Sequence, residues 1–314
     1  YQSGSVIVYR QNYNTSLWEQ MGQLLYEDFT GSCFGNGISL SKNGRILAIG
    51  SPTPQEINNR GIARVYEYSE SNDTWDQIGN RLDGEEENEN FGYCVSLSDD
   101  GNTLAVSSHK HNNFTGRASI YTYNNNSWTL KGSRILGEDY EDNFSMDLAL
   151  SGNGNIISIA AYGNDGINGT ESGIVKVFKY ENDSWIQLGD TINGENIGDG
   201  TGYSTDLSSD GSILVVGEPW FNSDGINNCG RVRLFKYNNN NWELIYTIVG
   251  NSGWETIGYN VEISHDGTTM MAGTFQHVGY RGKVIISRSD TTYSTSSTIN
   301  FTGSLNVVGN VTGN

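Results

Sequence analysis

Positive charge is scarce in this chain. Lys and Arg number 18 against 36 Asp and Glu, leaving a net charge of −18. Phosphate binding needs clustered cations, so gripping nucleic acid is excluded as the main task. Only 3 prolines are present, which rules out a collagen or a proline-rich linker. Cysteine is also rare: Cys33, Cys94 and Cys229 are odd in number and irregularly spaced, so neither a disulfide framework nor a zinc site is expected. Long hydrophobic runs are missing as well. The longest, residues 156–161 and 213–216, have the length of buried strands, far short of the ~18 residues of a membrane span. No signal peptide or initiator Met is seen. The chain opens at Tyr1 inside a pattern that recurs later, and is read as a mature or cropped product.

Glycine, at 40 of 314 residues, is abundant, and its spacing is regular. A Ser-x-Asp/Asn-Gly segment occurs five times, ending at Gly44, Gly101, Gly154, Gly211 and Gly267, at intervals of 53–57 residues. Trp18, Trp75, Trp128, Trp185 and Trp242 recur in step, as do the aromatics Tyr9, Tyr66, Tyr121, Phe178 and Phe235 that end Val-x-Val-like runs. Three markers in one register establish an internal repeat. Each repeat reads as four strands. Strand a alternates, as in residues 92–98, and the Asp/Asn-Gly is a hairpin turn. Strand b is apolar almost throughout, which implies burial on both faces. Strand c carries the aromatic, and the more polar strand d opens with the Trp.

Four-stranded antiparallel units at this period, with no helical periodicity, predict an all-β fold: a β-propeller over residues 1–288. Five blades are favoured, the N-terminal c and d strands completing the last a and b. Six or seven become the count if the chain is cropped.

The segments Phe91-Gly-Tyr-Cys-Val-Ser-Leu-Ser98, Asp100-Gly-Asn-Thr-Leu-Ala-Val106 and Gly116-Arg-Ala-Ser-Ile-Tyr121 resemble the FG-GAP repeats of integrin-α-like propellers. The likeness extends over residues 4–287. It implies an extracellular, non-enzymatic protein of adhesion or recognition. Calcium-binding members of that family carry an Asp-x-Asp-x-Asp-Gly loop, whose carboxylates suit a hard cation. Here the nearest pieces centre on Asp165 and Asp224, each with few carboxylates, so no cofactor is expected, and these two are weak candidates for calcium.

Loops joining d to a and b to c emerge at one end of a propeller, the a–b turns at the other. The d–a loops gather Glu27, Asp28, Glu85, Glu86, Glu87, Glu89, Glu138, Asp139, Glu141, Asp142, Glu195, Asp199 and Glu255 into an acidic crown, either a solvated surface or a dock for cations or a basic partner. The b–c loops vary most between repeats and carry the candidate ligand residues His109, His111, Tyr162, Trp220, Phe221 and Phe275. His109 and His111 share one side of an extended strand, a weak metal pair. No nucleophile elbow, phosphate loop or zinc helix is present. Nine Asn-x-Ser/Thr sequons permit glycosylation.

After residue 288 the composition shifts to a Ser/Thr-rich linker and a Gly-punctuated apolar segment bearing Ile299, Phe301, Leu305, Val307 and Val311. This second domain, 289–314, resembles the shafts of viral and phage fibres, and is expected to join copies of the chain or a neighbouring fibre protein. The expectation is a non-enzymatic structural or attachment propeller, extracellular or on a virion surface. Its ligand would be a cell-surface protein or glycan, with no nucleic acid and no membrane span. A glycan-binding lectin is the alternative and a glycosidase the third.

Overall fold

Each Ser-x-Asp/Asn-Gly segment is a turn held by its own side chains. The Ser98 hydroxyl donates to Asp100 Oδ1 at 2.6 Å, while its oxygen accepts the Thr103 amide at 2.9 Å. Asp100 Oδ1 also takes the Asn102 amide. Gly101 sits at φ 73°, a left-handed value that costs glycine little. The same bonds recur around Ser41, Ser151, Ser208 and Ser264. Strands a and b are thereby locked in register, with Leu97 opposite Leu104 and Val95 opposite Val106.

A computed structural model describes residues 3–55, 58–275 and 282–289, together with the backbone of 301–307. Five antiparallel sheets follow one another as the blades of a propeller. Blade one comprises Ile38–Leu40, Ile46–Ser51, Ile62–Ser69 and Thr74–Gln77. Blade two is Val95–Leu97, Thr103–Ser108, Arg117–Asn124 and Ser127–Leu130. Blade three is Leu148–Leu150, Ile156–Ala161, Ile174–Glu181 and Ser184–Gln187. Blade four is Ser204–Leu207, Ile213–Glu218, Arg231–Asn238 and Asn241–Val249. Blade five is Ile257–Ile263, Thr269–Thr274, Lys283–Ser289 and Phe301–Val307.

The expected closure by shared strands is corrected. Lys283–Ser289 and Phe301–Val307 themselves fill the third and fourth places of blade five. The N-terminal strands instead form a half-blade beside blade one, in which Ser5–Val6 pairs with Leu25–Tyr26 and Tyr9–Gln11 with Trp18–Gln20. Lys283–Ser289 reaches Thr269–Thr274 across a short connection, so it pairs at lower loop-closure entropy than a strand from the far end of the chain. In the segment read as a fibre-like tail, Phe301, Leu305 and Val307 stand opposite Ser289, Ile286 and Val284. Ile299 and Val311 lie outside the described residues.

Apolar cores lie between blades. Ala48, Ala63 and Val65 of blade one pack against Val95, Leu97, Leu104 and Trp128 of blade two. Each buried Val or Leu among them contributes roughly 1.5–3 kcal/mol. The recurring Trp is the bolt between blades: the indole N–H donates to a backbone carbonyl of the preceding unit, from Trp75 to Met21 at 2.8 Å, Trp185 to Lys131 at 2.8 Å and Trp242 to Leu188 at 2.8 Å. Trp128 does the same to Ile78 at 3.2 Å. Trp18 sits on the half-blade and is exposed.

Candidate functional site

The variable residue of each Ser-x-Asp/Asn-Gly turn points to the propeller axis, where the turns bond to one another. Amides donate in sequence from Lys42 to Asp99 O (3.0 Å), Asp99 to Gly152 O (2.8 Å), Gly152 to Ser209 O (2.7 Å) and Ser209 to His265 O (3.0 Å). The Asp99 carboxylate then takes the Ser209 hydroxyl at 2.9 Å and meets His265 Nε2 at 2.5 Å. These bonds make a floor across the turn end of the axis.

Above the floor, the a strands of all five blades line a cavity of about 740 Å³. Its walls carry Asp147, Asp206 and Glu262, none of them foreseen. Asp147 links blades, accepting the Thr205 amide at 2.8 Å as well as the Cys94 thiol at 3.2 Å. Asp206 accepts the Ile263 and Leu207 amides, both at 2.8 Å. Burial pushes all three carboxyls up, and repulsion by neighbouring carboxylates adds to the shift of Asp206, which rises furthest, and of Glu262. A carboxyl raised in the folded state stabilises the fold fully below its unfolded value, about pH 4, and that contribution disappears as pH rises through the folded value. Asp206→Asn removes the charge but keeps an acceptor for only one of the two amides, which reach different carboxyl oxygens. It is therefore expected to lower the melting temperature at pH 3.5, and the gap to the parent chain should close by roughly 2–4 °C at pH 7, the effect of about 1 kcal/mol. Thermal melts at the two pH values check this, and a gap that is equal or wider at pH 7 would contradict it.

At the opposite end the cavity opens into an aromatic mouth. Tyr203 touches Tyr162 (5.5 Å between centroids), Trp220 (5.2 Å) and Tyr259 (4.6 Å), and Tyr259 stacks on Phe275 at 5.0 Å. The Tyr203 and Tyr259 hydroxyls are 2.8 Å apart. The structure thus brings together Tyr162, Trp220 and Phe275 from three b–c loops, and adds the tyrosines that open the a strands. A signal for these existed: a Gly-Tyr pair recurs at Tyr93, Tyr203 and Tyr259.

The other candidates lie apart from this mouth. His109 is buried, edge-on to Tyr93 at 4.3 Å between centroids, and burial pushes it down to about 4, so it stays neutral at physiological pH. The shared extended strand expected for His109 and His111 is corrected: the chain turns at His111–Phe114, where Asn112, Asn113 and Phe114 take positive φ. His111 Nδ1 instead lies 3.1 Å from Glu86 and 3.5 Å from Glu89. That trio has the reach to hold a metal ion, although Arg117 already donates to Glu89 at 2.8 Å. Phe221 lies under the Arg231 guanidinium, 3.9 Å from ring centroid to carbon. Asp165 accepts the Glu171 amide within its own loop at 3.2 Å, and Asp224 sits in an open turn at φ 48°.

The acidic crown divides in two. Glu89, Asp142, Asp199 and Glu255 are buried and tie their own loops, accepting amides of Glu85, Asp139, Asn196 and Asn251 respectively. Basic residues of strand c answer them, as in Lys283 to Glu255 at 2.7 Å. Glu86, Glu87, Glu138 and Glu141 remain at the surface.

No family model and no curated protein matches the chain. Solved structures do, at the level of fold. A functionally unknown protein from Desulfotomaculum acetoxidans aligns with a TM-score of 0.58 and 14% identity, over 91% of this chain and 73% of that one. TolB from Acinetobacter baumannii gives 0.52 and 13%, over 90% of this chain and 57% of TolB. The periplasmic gluconolactonase PpgL of Pseudomonas aeruginosa gives 0.59 and 15%, over 97% and 79%. The chain shares its β-propeller fold with these proteins. One of them is an enzyme, so the expectation of a non-enzyme, which rested on resemblance and on missing motifs, is withdrawn: the same arrangement of sheets carries a gluconolactonase. No helix among the described residues is long and apolar enough to cross a membrane.

Proposed function

We propose that this protein is an attachment propeller working outside the cytoplasm, on an appendage or particle surface, and that its ligand is a carbohydrate held at the aromatic mouth. One observation carries the reading. Five rings from three blades converge over a cavity whose walls present carboxyl and hydroxyl groups and whose far end is floored. Sugar rings offer apolar C–H faces to aromatic planes and hydroxyls to carboxyl oxygens, so one ligand class satisfies both surfaces. The periplasmic location in the name of PpgL supports a site of action beyond the cytoplasm.

A glycan array followed by calorimetric titration tests this. Saturable binding of a sugar is expected, weakened at least tenfold by Trp220→Ala and by Phe275→Ala. Phe275 is exposed, so its removal should leave melting unchanged. Absence of saturable binding to any glycan would overturn the reading.

A second reading rests on Asp206 and Glu262. A carboxyl that keeps its proton beside a second carboxyl is the arrangement general acid catalysis needs, and a sugar lactone is the substrate class in the name of PpgL. Turnover of a sugar lactone that vanishes in Glu262→Gln would favour it. Binding without turnover would favour attachment alone.

A further inference from the structure

One imidazole is set against the acidic crown. His111 follows strand b of blade two, and its Nδ1 lies 3.1 Å from Glu86 and 3.5 Å from Glu89 of the neighbouring d–a loop. The repeat does not demand a histidine there: by register its counterparts in blades three and four are Asn164 and Phe221. Nor does the nitrogen settle into a hydrogen bond. It is shut off from solvent and forms none, although the Glu86 oxygen is near enough to accept. At 3.1 Å the distance suits a hydrogen bond, so it is the direction that fails.

A shared metal ion produces such a geometry. A ring N–H points along the line to its acceptor, whereas a metal stands off the line that joins two of its donors. Donors about 2.0–2.1 Å from one tetrahedral zinc are about 3.3 Å from each other, and the two nitrogen–oxygen separations fall on either side of that value. All three ligand atoms lie within 4.8 Å of one another.

The surroundings fit the same ion. Glu89 is held firmly, one oxygen accepting the amides of Glu85 and Glu86 and the other accepting from Arg117 at 2.8 Å. An outer donor of this kind orients a ligating carboxylate. Glu86 is half-exposed and can adjust. Arg117 and Arg134 both reach Glu85, and among the described residues Glu86 forms no ion pair with a lysine or arginine. Beside it opens a cavity of about 480 Å³, lined also by Lys110, Asn112 and Phe114, that gives an ion and a water access. Lys110 lies over the Phe114 ring, 5.6 Å from its centroid.

We propose that Glu86, Glu89 and His111 hold one zinc ion, with water in a fourth position open to this cavity. One imidazole and two carboxylates make a mixed nitrogen and oxygen set that suits zinc, whereas calcium asks for about six to eight oxygens. The ion would clamp the d–a loop to the b–c loop of blade two. The site is independent of the sugar reading.

The test uses the whole chain, stripped of metal by dialysis against a chelator and titrated calorimetrically with zinc chloride. One saturable site per chain is expected, weakened at least tenfold by His111→Gln and by Glu86→Gln. Glu87→Gln, which removes a carboxylate next to the trio but outside it, should change affinity less than twofold. Glu86→Gln, at a half-exposed position, should leave the melting of the zinc-free chain unchanged. Cobalt in place of zinc should give the intense visible absorption of a four-coordinate ion, lost in His111→Gln. Absence of saturable zinc binding would overturn the proposal and leave a proton on His111 as the charge between the carboxylates. Unchanged affinity in His111→Gln would overturn it in favour of the cysteines or another histidine, and equal affinity for calcium in favour of an oxygen-only site.

Discussion

Glu218→Ala is expected to cost about 3–5 kcal/mol, the range found when a buried ion pair loses one member. Glu218 is fully buried at the end of strand b in blade four. One oxygen accepts from Arg233 and, at 3.1 Å, from the Thr201 hydroxyl; the other accepts from Arg231. Both guanidiniums are nearly inaccessible, so removal of the carboxylate takes the main counter-charge from two cations. Half-exposed Glu195 is left to reach Arg231 at 2.6 Å and Arg233 at 3.6 Å, with buried Asp199 3.9 Å from Arg231. Chemical unfolding in urea measures the loss. Replacing both arginines by leucine in the same chain should recover only part of it, because apolar side chains carry no desolvation cost but buried Asp199 then loses its cation. A loss under 1 kcal/mol in the single variant would show that water reaches this triad.

Gly116→Ala should be nearly as damaging, at roughly 2–5 kcal/mol. Gly116 lies at φ 86°, and a Cβ there would fall 2.0 Å from the Phe144 carbonyl oxygen, which is backbone and cannot swing away. The left-handed conformation alone costs about 1–2 kcal/mol, and overpacking adds typically 1–3 kcal/mol. Gly44→Ala separates the two contributions, since Gly44 has φ 67° and nothing within 4 Å of its Cβ position. It should lose only the conformational part. Equal losses in the two variants would show that the close approach between blades is not what keeps Gly116 a glycine.

Most of the fold was legible because the repeat writes its local chemistry five times over. The turn at Ser98–Gly101 is specified by side chains within five residues of one another, and the same holds in every blade. The place of Lys283–Ser289 was harder to read. It lacks the terminal aromatic of a c strand, and its choice over Tyr9–Gln11 depends on the length of the connecting loop rather than on the strand's own residues. At the candidate site, Tyr162, Trp220 and Phe275 were visible as large aromatics in variable loops. Asp147 and Asp206 were not, because their significance lies in amides of the neighbouring blade, 58 and 57 positions along the chain. His109 and His111 looked like a pair by spacing, and the positive φ values at Asn112 and Asn113 that part them leave little trace in composition.

The direction of the tryptophan bonds has a consequence for biosynthesis. The four repeat indoles, of Trp75, Trp128, Trp185 and Trp242, each donate backwards to a carbonyl made some fifty residues earlier. When a blade leaves the ribosome its acceptor is therefore already in place, and no blade has to wait for its successor to bury its largest side chain. Assembly can run vectorially, each new sheet crystallising on the last.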